Sequence, residues 1–125
     1  MSVKYFTVAE ANALLPEITP LLEELLRRRA QATQRAQRAG SLLEDTRSNI
    51  GSAELSALTQ DFLMIEQLVR RIRGLGCILK DAQSGLIDFL ALRDGRDVYL
   101  CWKLGEPEIT HYHELHTGFN GREPL

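Results

Sequence analysis

The dipeptide Asp94-Gly95 lies between two runs rich in branched and aromatic residues, Leu86 to Arg93 and Arg96 to Lys103. Asp-Gly supplies the positive backbone angles of the tight turn that matches strand twist, so the pattern predicts a β-hairpin. A two-residue loop also fixes the register. Arg93 then faces Arg96, Leu90 faces Tyr99, Asp88 faces Cys101 and Ile87 faces Trp102. Alternation puts Ile87, Phe89, Ala91, Val98, Leu100 and Trp102 on one face. That face is wholly apolar and has to be buried against the rest of the chain. The other face holds Asp88, Leu90, Tyr99, Cys101 and Lys103, so it sets a carboxylate across from a thiol.

Gly105-Glu106-Pro107 marks the next bend. Beyond it Ile109, His111, His113 and Leu115 share one face of an extended segment, with Thr110, Tyr112 and Glu114 on the other. A three-residue loop at the bend would set His111 opposite Cys101 and His113 opposite Tyr99, gathering Asp88, Cys101, His111 and His113 on one face. A two-residue loop would set Tyr112 opposite Cys101 and turn both histidines toward the buried side. Both readings stay open in the sequence.

The first part of the chain is helical. Thr7-Val8-Ala9-Glu10 is a capping box, in which the Thr7 hydroxyl and the Glu10 carboxylate each accept from the other's backbone amide. A helix is predicted to begin at Val8. Pro16 lacks an amide proton and pushes Leu15 out of the helical region, which predicts a short first helix over about Val8 to Leu15. A second, long helix comes next, opened by Pro16 in its first turn or starting near Thr19, or else kinked at Pro20. Its stripe runs Leu22, Leu25, Arg29, Ala32, Ala36, Ala39, Leu43. Ser48-Asn49-Ile50-Gly51-Ser52 is the punctuation at which it turns back. A third helix from Ser52 carries the stripe Leu55, Leu58, Phe62, Ile65, Val69, Ile72 and ends at Gly76, with Arg70, Arg71 and Arg73 in its last turns. The spacing of three and four in both stripes is that of helices packed lengthwise, so the two long helices are expected to form an antiparallel hairpin. Cys77 to Lys80 is expected as a short strand, and Gly118 to Arg122 as a loop that wraps back on the sheet with Phe119 buried and Arg122 meeting a carboxylate.

The fold class is therefore α+β: a short N-terminal helix, a long antiparallel helical hairpin and a small C-terminal antiparallel β-sheet. One domain over residues 1–125 is expected, helical over about 7–76, β over about 77–116, with a tail over 117–125. A net charge of -2 argues against nucleic acid as a partner. The run Arg27-Arg28-Arg29 with Arg35 and Arg38 reads as a solvated helix face. No stretch approaches the ~20 apolar residues of a membrane span, and the start does not read as a secretory signal. Two cysteines give no disulfide framework, which suits a cytoplasmic protein with reduced thiols.

Motifs at both ends carry a resemblance. Near the start stands Thr7-x-x-Glu10-Ala11-Asn12-x-Leu14-Leu15-Pro16. Near the end stand Gly85-Leu86-x-Asp88-Phe89, Leu100-Cys101-Trp102-x-x-Gly105-Glu106, then His113 and Gly118-Phe119-x-Gly121-Arg122. Together they resemble an uncharacterised bacterial family, domain of unknown function 2203. The resemblance spans essentially the whole chain and is most specific in the last third. Leu90 stands where the family pattern has proline and Tyr112 where it has tryptophan. His116 is peculiar to this chain and is left out of any site. The resemblance implies a bacterial protein of this architecture and implies no activity.

No motif names a reaction. Asp88, Cys101, Glu106, His111 and His113 are the residue types that bind zinc or iron, and three such ligands with one exchangeable position make the catalytic form of a zinc site. A small ligand on the same polar face is the looser version of that reading. No C-x-x-C or H-E-x-x-H spacing supports it, and His111-x-His113 suits a strand. Against it stands a purely structural role: His113 hydrogen-bonded in place, Cys101 a small semi-buried hydrophobe, Asp88 paired with Arg93 or Arg122. Cys101 with His113 or His111 as base also has the types of a nucleophilic pair, but no feature marks its thiolate as stabilised. A non-catalytic alternative rests on the helices. Leu21, Leu26, Leu42, Leu63 and Met64 lie off the main stripes and need cover, which a homodimer would provide.

Overall fold

The computed structural model describes residues 4–44 and 52–125. Its elements are two helices, α1 (Val8–Glu44) and α2 (Ser52–Gly74), then the strands β1 (Ile78–Asp81), β2 (Leu86–Arg93), β3 (Arg96–Lys103), β4 (His111–Glu114) and β5 (Glu123–Pro124). The strands form one antiparallel sheet in the order β1-β2-β3-β4-β5. The class is α+β. No described helix is long and apolar enough to cross a membrane.

The capping box forms. The Thr7 amide donates to Glu10 Oε1 at 2.9 Å and the Glu10 amide donates to Thr7 Oγ1 at 3.1 Å. The helix that it opens corrects the expected short first helix, and with it the hairpin of two further helices. Among the described residues there are two α-helices in place of three, because α1 runs unbroken through Pro16 and Pro20. The reason is the buried stripe Ala11, Leu15, Ile18, Leu22, Leu25 and Ala32, which keeps helical spacing across both prolines. Both prolines are exposed. Water can reach the carbonyls that lose their donors there, so burial of the stripe outweighs the two missing hydrogen bonds. The turn expected at Ser48 to Ser52 and the side chains of Leu42 and Leu43 lie outside the described residues.

α2 ends as its sequence requires. Gly76 has φ +95 and its amide donates to the Arg73 carbonyl at 3.0 Å. Its buried face differs from the expected stripe. Leu68 and Ile72 are buried, but Leu55 and Phe62 are exposed, and the position that faces α1 is Asp61. Asp61 is fully buried, with Arg35 at 2.7 Å and Arg28 at 3.6 Å. These arginines are therefore not a solvated face, whereas Arg27 turns outward to Glu24. Leu21 is buried and Leu26 and Met64 are partly buried, so α1, α2 and the sheet cover most of the off-stripe residues.

The β2–β3 hairpin has the predicted register at every pair from Ile87↔Trp102 to Arg93↔Arg96. Asp94 (φ 52) and Gly95 (φ 78) occupy the left-handed region that a two-residue loop demands. Ile87, Phe89, Ala91, Val98, Leu100 and Trp102 are all buried in one core with Phe6, Leu15, Ile18, Leu22, Leu25 and Ile72. Phe6 meets Phe89 edge to face at 5.1 Å, and its amide donates to the Leu90 carbonyl at 2.8 Å. That pair anchors the start of the chain to the sheet.

Candidate metal centre

β4 pairs with β3 so that His111 faces Cys101 and His113 faces Tyr99. This is the first of the two registers that the sequence left open. The bend is longer than three residues, since the chain leaves β3 at Lys103 and rejoins the sheet at His111. Trp102 Nε1 donates to the Glu106 carbonyl at 2.9 Å, and the Ile109 amide donates to Asn12 Oδ1 at 2.8 Å. These bonds tie the connection to the sheet and to α1. Tyr112 is buried on the helix side. Ile109 joins it there, because strand alternation begins only at His111.

Three of the five candidate ligands meet. Asp88, Cys101 and His113 offer donor atoms that all lie within 4.8 Å of one another, on the sheet face away from the helices. Their relative exposures are 2%, 1% and 2%. His113 Nδ1 lies 2.7 Å from the Glu114 carbonyl oxygen. A carbonyl only accepts, so Nδ1 carries the ring proton and Nε2 turns toward Asp88. Nε2 is 3.2 Å from both carboxylate oxygens. A neutral ring of this tautomer presents a lone pair there, and two lone-pair groups in a buried site need a proton or a metal cation between them.

Burial pushes the Asp88 carboxyl above its ordinary range, with the charges of His113 and Lys80 opposing. Burial also raises the Cys101 thiol, helped by the Asp88 charge and opposed by Arg122. A raised thiol is a poor nucleophile at neutral pH, so the nucleophilic-cysteine reading loses ground. Cys77 is no candidate either. It donates to the Ile72 carbonyl at 3.3 Å, and burial pushes its thiol up to about 11. Both cysteines are free thiols.

The other two candidates stand at the rim. His111 Nδ1 lies 2.8 Å from Thr110 Oγ1. Glu106 is held by Arg122 through two bonds of 2.7 and 3.2 Å and accepts from the Lys103 amide at 2.7 Å. Burial alone would raise the Glu106 carboxyl, but the Arg122 bonds, the Lys103 amide and the His111 charge outweigh it and hold it below the usual glutamate range. Arg122 was not among the candidate ligands, and the sequence offered it only as a partner for a carboxylate. The expectation that it meets a carboxylate holds, and the carboxylate is Glu106. Phe119 is half-buried, and its ring lies against the Arg122 guanidinium at 4.4 Å. The tail also adds the short strand β5, which the sequence did not indicate.

A family model described as "Uncharacterized conserved protein (DUF2203)" matches residues 4–125. The chain belongs to that family. No curated protein and no solved structure matches the chain. Of the residues that carried the resemblance, Asp88, Cys101 and His113 form the buried cluster, and Glu106 and Arg122 form the ion pair beside it.

Proposed function

We propose that the chain binds a divalent transition metal, zinc or iron(II), through Asp88, Cys101 and His113. The observation that carries this reading is the His113–Asp88 contact. With Nδ1 donating to the Glu114 carbonyl, a neutral ring would aim its Nε2 lone pair at a buried carboxylate, and the 3.2 Å gap suits two ligands of one ion. Two ligand atoms each about 2.0–2.1 Å from a tetrahedral zinc stand about 3.3 Å apart. The Glu114 carbonyl on Nδ1 is the outer partner that metal-bound imidazoles use to fix their orientation. A mixed sulfur, nitrogen and oxygen set favours zinc over calcium or magnesium. Three protein ligands leave a fourth position for water or a small ligand, the pattern of a centre that exchanges ligands. A site built on a reduced thiol suits a reducing, cytoplasmic setting.

Elemental analysis of the purified protein tests this directly. Near-stoichiometric zinc or iron is expected, lost in His113→Ala while the circular dichroism of the fold persists. Metal-free wild-type protein that also fails to take up added zinc would sink the reading.

A second reading, association of two copies through the helices, is supported by a different observation. Leu55, Phe62 and Leu63 of α2 are half exposed or more. It is compatible with the first.

A further inference from the structure

The metal cluster has a cationic neighbour that the ligand set alone does not require. Arg122 immediately precedes β5, which pairs with the strand that carries His113, and it holds its fork on a carboxylate and its plane against Phe119. Lys103 reaches over the other partner of that stack, 5.7 Å from the Phe119 ring centre. The charge of Lys80 bears on Asp88 from β1. Arg122 and Lys80 therefore bear on the buried cluster, and Lys103 lies over the Phe119 ring beside Arg122. We propose, resting on the metal reading above, that Arg122 receives the carboxylate of a small organic acid that fills the metal's fourth position.

Geometry supports this in three ways. First, the guanidinium already holds a carboxylate in the two-pronged fashion that makes arginine the choice for such groups. Glu106 thus acts as an internal occupant of the anion position. Second, access is graded. The side chains of Arg122 and Glu106 are 20% and 24% exposed, whereas those of His113 and Asp88 are 2% and 3% exposed. A solute reaches the arginine before it reaches the metal ligands. Third, the local charge suits an anion. A divalent ion with Asp88 and the Cys101 thiolate is neutral, and Arg122 with Glu106 is neutral. Lys80 and Lys103 are then in excess over one added carboxylate, and such cations steer anions inward.

Cobalt(II) is the spectroscopic probe, with acetate as the test ligand at constant ionic strength in chloride. Cobalt loading is read first in each variant. Acetate is expected to shift the cobalt absorption of wild type saturably. Arg122→Ala should weaken that response about tenfold or more, as loss of a charge-assisted pair does. Arg122→Lys, which keeps the charge without the fork, should fall between. Glu106→Gln should tighten acetate binding, because the competing carboxylate is gone. An unchanged spectrum in both wild type and Glu106→Gln overturns the proposal, as does an equal response in Arg122→Ala. A response to inorganic phosphate with none to acetate overturns the carboxylate assignment. Failure of cobalt to bind at all defeats the metal reading instead, so the two failures are distinct.

Discussion

A carboxyl, a thiol and an imidazole buried within 4.8 Å of one another are costly neighbours unless protons or a metal ion hold them together. Asp88 and Cys101 both bind protons more tightly than they would in water, and burial is the main cause of each shift. A metal has to displace those protons. If the cluster binds zinc as proposed, the apparent affinity rises with pH, and its loss on acidification begins at a higher pH than for exposed ligands of the same types. Competition with a chromophoric chelator across pH should show this, together with proton release on zinc addition in weakly buffered solution. A pH-independent affinity would contradict it. Asp61 poses the same kind of problem without such a remedy. Its Oδ1 has no hydrogen-bond partner within normal distance, and Arg35 is its close partner. Arg35→Ala should cost about 3 kcal/mol in urea unfolding, since it takes the close partner from a buried carboxylate and leaves only Arg28 at 3.6 Å. Arg27→Ala should stay within about 0.5 kcal/mol, since that pair is exposed. The Asp88–Cys101 pairing was legible in the sequence because a two-residue turn leaves no freedom of register. That Arg122 meets a carboxylate was legible too, but not that the carboxylate is Glu106, because that pairing depends on the path of the β3–β4 connection. Asp61 was not, because a carboxylate on an amphipathic helix reads as surface until its partners are known.

At the scale of the element, α1 shows a local rule yielding to a longer one. A proline in a helix interior costs ~3 kcal/mol relative to alanine, which argued for a break at Pro16. Yet Ala11, Leu15, Ile18, Leu22 and Leu25 form one buried line, and no break can keep them aligned. The helix carries the cost instead. Pro16→Ala restores a backbone donor at an exposed site that is already helical. It is expected to stabilise the fold by about 1–3 kcal/mol, seen as a higher urea midpoint at unchanged m-value. Lower stability would mean that the proline ring itself helps to seat Leu15 and Ile18 on the sheet. The hairpin behaves in the opposite way. There the local signal, Asp94-Gly95, and the long-range one, an apolar face of six residues, point to the same register. The β3–β4 bend was ambiguous because Gly105 and Pro107 mark a turn without fixing its length. Its length is set by contacts far away in the chain, Trp102 to Glu106 and Asn12 to Ile109.

At the scale of the whole molecule, the two helices are unequal in what they bury. The first half of α1 and the end of α2 share one core with the sheet. The first half of α2 contributes Asp61 to its contact with α1 and turns Leu55 and Phe62 outward. These two are seven residues apart, so they lie on one stripe, with the partly covered Leu58, Ile65 and Val69 beside them. The sequence assigned this stripe to the contact with α1. Periodicity detects an apolar face but not which partner it meets, and the buried Asp61 pairs took that contact. A second copy would cover the stripe symmetrically, each residue counting twice, and a stable pair needs about 800 Å² from each partner. The stripe with Leu63 at its flank is the place where such an area is available. Leu55→Glu combined with Phe62→Glu should then turn a dimer into a monomer in analytical ultracentrifugation. Zinc content should be unchanged, because both positions are on α2 and the proposed metal ligands are on β2, β3 and β4. A wild type that sediments as a monomer at its highest soluble concentration would remove the second copy as occupant. A dimer that survives both substitutions would place the interface elsewhere. Loss of zinc along with the dimer would mean that assembly shapes the centre, tying the two readings of this chain into one.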